Sequence, residues 1–411
     1  TLARIRLSST DATVRHAAVN QMLDSVTPEL AVALRRVLPQ ETDEAVREAM
    51  ETVVALADLQ GDEPIARLQA VLQLKGNLHS VVRNHLEEVS KNTDDEALAT
   101  AAGAAVADIK EKLQLYSLAE TVFFGLSLGS VLLLAAIGLA ITFGVMGVIN
   151  MAHGELIMLG AYTTYLVQQV MPNQLEWSIL VAIPAAFVVS GLFGVAIERG
   201  VIRFLYGRPL ETLLATFGVS LILQQLVRTT ISAQNVAVSN PDWLSGSLQI
   251  NPALSLTYNR IYILIFSLLV FLALLAILKK TTLGLQVRAV AQNRAMARAM
   301  GIRSERVDAM TFGLGAGIAG VAGVALSQLT NVGPNMGQSY IIDSFMVVVF
   351  GGVGNLWGTL VGAMSLGVTN KFLEPWLGAV LAKILVLIFI ILFIQKRPRG
   401  LFPQQGRAAE N

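Results

Sequence analysis

The sequence predicts an all-α chain in which a soluble helical-repeat domain precedes a polytopic helical membrane domain. Of its residues 54% are hydrophobic and only 14% charged, with mean hydropathy +0.60, so much of its surface needs lipid around it. Charge is divided unevenly: residues 1–112 hold 12 Lys and Arg against 18 Asp and Glu (net −6), and residues 113–411 hold 18 against 11 (net +7). From Leu118 onward, long apolar runs recur. Crossing a hydrocarbon core takes about 20 helical residues.

In the first domain, residues 1–112, a weak repeat runs through DATVRHAAVNQML, DEAVREAMETVVAL and HSVVRNHLEEVS. Its Val-Arg pairs, Val14-Arg15, Val46-Arg47 and Val82-Arg83, recur after 32 and then 36 residues. Turn signals fall near Pro28, Pro39, Gly61-Asp62 and Asn92 to Asp95, as stacked helix pairs require. The pattern predicts a short HEAT-type α-solenoid that either presents a face to a protein partner or caps the membrane domain. His16, His79 and His85 lack ligand spacing and read as surface or core residues, and the absence of Cys excludes disulfides and thiolate metal sites. The chain opens at Thr1 without an apolar leader, so a processed or truncated amino terminus is expected.

The second domain, residues 113–411, predicts nine spans near 118–140, 151–170, 177–197, 209–229, 261–278, 307–329, 341–351, 353–370 and 377–395. The segment 341–351 is too short to cross alone and ends in Gly351-Gly352, which fits a broken or re-entrant helix lining protein or a cavity. Arg199, Arg203 and Arg208 after the third span, and Lys396, Arg397 and Arg399 at the tail, place those segments in the cytoplasm. Counting crossings then puts the solenoid outside and the carboxyl tail inside.

Between two apolar runs lies KKTTLGLQVRAVAQNRAMARAMGIRSER, residues 279–306, with seven basic residues against the single acid Glu305. Helical spacing gathers Leu285, Ala289, Met296 and Met300 on one arc and sets Arg294 and Arg298 opposite, so one face can dock while the other stays wet. Gly284 and Gly301 stand where start and stop signals of one short cytoplasmic helix are expected. The competing reading is a basic loop held by lipid headgroups.

Asn150, His153 and Glu155 join the first two spans and set an amide, an imidazole and a carboxylate against apolar flanks. Such groups are costly in a membrane and face either a pathway or one another in a structural knot. Thr216 and Phe217 are further candidates to line a path, as is Asp343, which also suits a helix amino terminus. Gly354, Gly358 and Gly362 form one small-residue ridge and Gly313 with Gly317 another, both suited to close helix packing. The string GAGIAG at 315–320 lies in an apolar helix with no preceding strand and is not a dinucleotide fingerprint. The chain contains neither GxxxxGK[ST] nor HExxH, so it carries no visible ATPase or metalloprotease machinery of its own.

GVINMAHGELIMLGAY, ETLLATFGVSLILQQ, GLQVRAVAQNRAMARAMGI, GGVGNLWGTLVGA and RPRGLFPQQGR together resemble the permease subunits of branched-chain amino-acid and urea ABC transporters, over residues 116–407. The stretch from Glu211 to Val238 and the preceding helical domain look most like the urea branch. The resemblance implies a multi-pass protein of the bacterial inner membrane, in contact with lipid and not with nucleic acid. It implies a heterodimer with a second permease, two cytoplasmic ATPase subunits that use the ATP, an extracytoplasmic solute-binding protein, and no cofactor on this chain. Residues 284–302 would be the coupling helix, with Gly284, Arg288, Ala289, Asn293, Ala297 and Gly301 at the ATPase contact. The shared permease core does not include the solenoid. Branched-chain amino acids are the alternative substrate, and a passive channel or a receptor with a scaffold ectodomain is the alternative class.

Overall fold

The computed structural model describes Leu7 and residues 9–402, so residues 403–407 of the tail motif lie outside the described residues. The chain divides into two compact units. One runs to Glu120 and includes Gln249–Ser255; the other comprises Thr121–Leu248 and continues from Leu256. The division falls inside a helix, eight residues beyond the position expected from charge.

The first unit contains α1 (Ala12–Met22), α2 (Pro28–Val37), α3 (Glu44–Gln60), α4 (Pro64–Leu74), α5 (Ser80–Asn92) and the start of α6 (Glu96–Met146). Short polar side chains begin several of them: Asp11 accepts from Thr13 N–H, Thr27 from Leu30 and Asp43 from Val46. The Val-Arg pairs sit near the starts of α1, α3 and α5. Val46 and Val82 are buried in the core with Leu34, Met50, Leu56 and Leu86, whereas Val14 is exposed. Arg15 crosses from α1 to bind Glu41 at 2.7 Å.

The second unit continues α6 and adds α7 (His153–Val170), α8 (Leu175–Gly200), α9 (Pro209–Thr230), α10 (Tyr258–Lys280), α11 (Thr282–Gln292), α12 (Arg294–Ala299), α13 (Ser304–Ser327), α14 (Met336–Gly351) and α15 (Leu356–Lys396). The loop before α10 also forms a hairpin, β1 (Ser247–Asn251) with β2 (Leu254–Thr257), a small addition to the all-α expectation.

Among the described residues, six helices are long and apolar enough to cross a membrane: α6, α8 with its following turn, α9, α10, α13 and α15. Of the nine expected spans, which included 341–351 as a segment too short to cross alone, 151–170 and 341–351 do not combine that length and hydropathy. The segment 151–170 forms α7, an 18-residue helix whose sequence includes His153, Glu155, Gln168 and Gln169. The segment 341–351 belongs to α14, only 16 residues long. The segments 353–370 and 377–395 form two helical stretches of α15, one on each side of Gly378, which leaves helical geometry (φ 76°, ψ 162°).

α13 is the core of this unit, with 89% of its most apolar stretch buried. Small residues at Gly313, Gly315, Ala316, Gly317, Ala319, Gly320, Ala322 and Gly323 let α7 and α8 close on it. A Cβ on Gly160 would collide with the Gly320 carbonyl, and one on Gly323 with that of Ile157. α7 and α13 therefore meet backbone to backbone.

Candidate functional site

The turn at 147–152 ends α6 at Gly147 (φ 64°) and starts α7. Buried Asn150 holds it by accepting the Ala152 N–H at 3.0 Å. The Met151 N–H donates to Thr216 Oγ1 at 3.1 Å, which ties the turn to α9. His153 Nε2 lies 2.8 Å from the Ala135 carbonyl of α6; a carbonyl only accepts, so Nε2 carries the proton. Glu155 is 1% exposed, and its Oε1 accepts from Ser220 Oγ at 2.9 Å and Gln224 Nε2 at 2.7 Å. Asn150 Nδ2, His153 Nδ1, Glu155 Oε2 and the Tyr162 hydroxyl have no hydrogen-bond partner among the described residues.

Helical spacing explains α9's share of the site. Thr212, Thr216, Ser220 and Gln224 recur every fourth residue and form a buried polar stripe. Arg228 is the next position and donates from Nη2 to Asn335 Oδ1 at 2.6 Å. The structure thus brings Asn150, Glu155 and Thr216 together and adds Ser220 and Gln224. The repeat TxxxTxxxSxxxQ within an apolar helix was the signal for those two. Phe217 lies off this stripe and is 42% exposed. Asp343 is not part of the group: it sits eight residues into α14, too far in to be an amino-terminal charge, and binds Lys383 Nζ of α15 at 2.9 Å.

The basic segment is two helices, not one. Asn293 leaves helical geometry (φ −155°, ψ 100°), ending α11 and capping α12 by accepting the Met296 N–H at 2.9 Å. Gly284 is not the start signal; Thr281 caps α11, and Gly284 lies in its first turn, where a Cβ would collide with the Leu278 backbone. Gly301 (φ 87°) follows α12 as expected of a stop. Leu285, Met296 and Met300 are exposed and Ala289 half-buried, while Val287, Val290 and Ala297 face inward. Arg288 donates to the Leu278 carbonyl. The expected wet face is engaged instead: Arg294 binds Asp308 Oδ1 at 2.8 Å and Arg298 Nε donates to Ser304 Oγ at 2.6 Å.

Gly358 and Gly362 in α15 approach Gly351 of α14, and Gly313 and Gly317 of α13 lie against Val195 and Phe187 of α8. Gly354 (φ 80°) stands in the turn before α15, so the three-glycine string is not one helical ridge. A cleft of about 690 Å³ opens beside α11, lined in part by Lys279, Arg288, Asn355 and Trp357 and by none of the Glu155 group. No cluster of three His, Cys, Asp or Glu side chains suited to a metal occurs among the described residues.

Residues 121–394 match the family described as branched-chain amino acid transport system / permease component. The high-affinity branched-chain amino acid transport system permease protein LivH of Salmonella typhimurium is 32% identical over 291 residues, covering 69% of this chain and 94% of the relative. BraD of Pseudomonas aeruginosa, a permease protein of the same description, is 30% identical over 298 residues, 70% of this chain and 96% of its own. The ribose import permease RbsC of Bacillus subtilis is 34% identical over a shorter 113 residues, 26% of this chain and 35% of the relative. No solved structure matches.

Proposed function

Since the chain belongs to the branched-chain amino acid transport permease family, we propose that it is the translocating membrane subunit of an ATP-driven importer and that its substrates are branched-chain amino acids. The observation that carries the substrate class is the α7–α9 site. An amino acid brings an ammonium and a carboxylate. Glu155, whose Oε2 has no partner among the described residues, suits the ammonium, and the exposed Arg228, one helical turn beyond Gln224, suits the carboxylate. Hydrogen bonds from Ser220 and Gln224 position Glu155 Oε1, and Asn150 and Thr216 fix the turn from which α7 departs. In this reading the path is closed at the level of this buried group, and alternating access would open it to each side in turn.

Urea, expected from the resemblance of 211–238, is the second reading. It is favoured by the neutral amides and hydroxyls of Asn150, Thr216, Ser220 and Gln224, which match an amide substrate. The relatives LivH and BraD, both branched-chain amino acid permeases, favour amino acids.

In this reading the chain pairs with a second permease in a bacterial inner membrane, two cytoplasmic ATPases supply the energy, and an extracytoplasmic binding protein delivers the substrate. The 279–306 segment faces the cytoplasm with its exposed Leu285, Met296 and Met300 toward an ATPase, and Gly284, Arg288, Ala289, Asn293, Ala297 and Gly301 shape it. The amino-terminal helices form a HEAT-type stack on the outer side, with an acidic surface for a protein partner.

The test is reconstitution of the co-purified complex in liposomes, with uptake of labelled leucine and labelled urea measured with and without ATP. ATP-dependent leucine uptake that Arg228→Ala abolishes is expected. Urea uptake insensitive to Arg228→Ala moves the chain to the second reading, and ATP-independent flux of either solute overturns the importer.

A further inference from the structure

Arg294 opens α12, and two contacts hold it. Its guanidinium binds Asp308 Oδ1 of α13 at 2.8 Å, and the carboxylate it meets is 1% exposed. Its Cζ lies 4.6 Å from the ring centre of Tyr206, in the turn between α8 and α9. The Tyr206 hydroxyl reaches on to Glu198 Oε1 of α8 at 3.4 Å. One side chain of the connector thus touches the buried central helix and the turn leading into the polar stripe of α9. Burial, reinforced by the Asp308 and Glu198 carboxylates, pushes the Tyr206 hydroxyl well above its ordinary range, so it stays a neutral donor.

The two halves of the connector are anchored differently. α11 is fixed to the end of α10 by Gly284 and Arg288, both against Leu278, whereas α12 reaches α13 through Arg294 and Arg298. The break at Asn293 separates the two anchors. A load on the exposed Met296 and Met300 of α12 therefore has a direct route into α13 through the arginines, alongside the packing of Val287, Val290 and Ala297 with Val307 of α13.

Resting on the importer reading above, we propose that Arg294, clamped between Asp308 and the face of Tyr206, is the positioning residue that transmits ATPase movement into α13. The guanidinium supplies what this joint needs: a planar fork for the carboxylate and a flat cation for the ring. Lysine keeps the charge and loses both geometries. Arg298 on Ser304 is a neutral-acceptor bond and serves as the weaker second tie.

The experiment uses the full complex in liposomes and reads three quantities for each variant: subunits recovered, ATP hydrolysed, and substrate taken up. Wild-type ATP-dependent uptake, of leucine or of urea, decides the importer reading separately; the variants then decide the joint. Arg294→Ala and Asp308→Asn are expected to keep the subunits together and hydrolysing while uptake per ATP falls by about tenfold or more, the scale of coupling between sites. Arg294→Lys falls in between, Tyr206→Phe stays near wild type because the ring is kept, and Tyr206→Ala resembles Arg294→Ala. The charge exchange Arg294→Asp with Asp308→Arg restores part of the ratio. An unchanged ratio in Arg294→Ala overturns the proposal, as does a proportional fall of hydrolysis and uptake. Should Asp308→Asn fail to assemble, the Arg294→Lys and Tyr206→Phe pair still decides, because a loss of coupling in Tyr206→Phe equal to that in Arg294→Lys overturns the clamp.

Discussion

Replacing Glu155 by glutamine and by alanine separates a substrate role from a structural one. The alanine variant removes the acceptor shared by Ser220 and Gln224. Gln224 is 5% exposed and cannot turn to water, so its orphaned amide costs about 1–3 kcal/mol. The Ser220 hydroxyl can swing to the carbonyl one turn back on α9 and loses less. With the deleted methylenes the total is about 2–4 kcal/mol. Glutamine keeps an oxygen near Oε1 and changes stability by less than about 1 kcal/mol, but it removes the charge. A hydrogen bond to a charged group contributes about 1.5–3 kcal/mol, which is roughly 10- to 150-fold at 1.4 kcal/mol per decade. Thermal unfolding in detergent should therefore drop for Glu155→Ala and stay close to wild type for Glu155→Gln. ATP-driven leucine uptake should be low in both. Wild-type leucine uptake by Glu155→Gln would refute the ammonium site and leave the carboxylate as a packing device between α7 and α9.

Three other outcomes are expected. Gly323→Ala should lower the unfolding midpoint through about 1–3 kcal/mol of overpacking, because its Cβ meets the Ile157 carbonyl; an unchanged midpoint would mean that α7 and α13 yield easily. Gly284→Ala should reduce the ATPase recovered with the permease, since its methyl displaces α11 from Leu278, and full recovery would remove α11 from the docking surface. In the first unit, the hydrogen bond from Arg15 holds the Glu41 carboxyl below the ordinary glutamate range. A depressed folded value stabilises the fold above the unfolded pKa of about 4.3 and is lost as pH falls below it toward the folded value. The unfolding midpoint of the wild-type chain should therefore fall more steeply below about pH 4 than that of Glu41→Gln, and parallel curves would show that the pair is not formed.

Local rules carried much of the reading. The apolar runs, the positive connector and the Asn150–Glu155 turn are visible because hydrophobicity and charge are properties of single residues. What the sequence hid is where two elements meet. Ser220 and Gln224 stand in the TxxxTxxxSxxxQ repeat, but the carboxylate they hold comes into view only when α9 lies beside Glu155. Arg294 and Arg298 look like a solvated face until α13 brings Asp308 and Ser304 under them. Asp343 looks like a lone acid because Lys383 is 40 residues away in the chain. Gly284 reads as punctuation unless the path of α10 is known. The break at Asn293 was legible in principle, since Asn is a strong cap, but unbroken helical spacing across 282–299 concealed it.

The glycines of α13 connect the two ends of the proposed mechanism. Asp308 lies in the second turn of that helix, and Gly320 and Gly323, which meet Gly160 and Ile157, follow 12 and 15 residues later. At 1.5 Å per residue that separation is about 18–22 Å, most of the thickness of a membrane core. Between two helices in side-chain contact, rotamer changes can absorb a small displacement. Between two backbones in contact there is nothing to rearrange, so a shift of α13 reaches α7 as a shift of the whole helix. α7 carries Glu155, whose hydrogen bonds to α9 must then lengthen or break together. In the proposed mechanism a pull on Asp308 would thereby become a two-state change at the polar stripe, because close-packed interfaces switch between arrangements rather than deform by degrees. The small residues of α13 are for this reason a requirement of transmission as well as of packing. A larger residue at Gly323, whose Cβ would meet the Ile157 carbonyl, would leave a helix still long enough to span the membrane but uncoupled from the site it has to move.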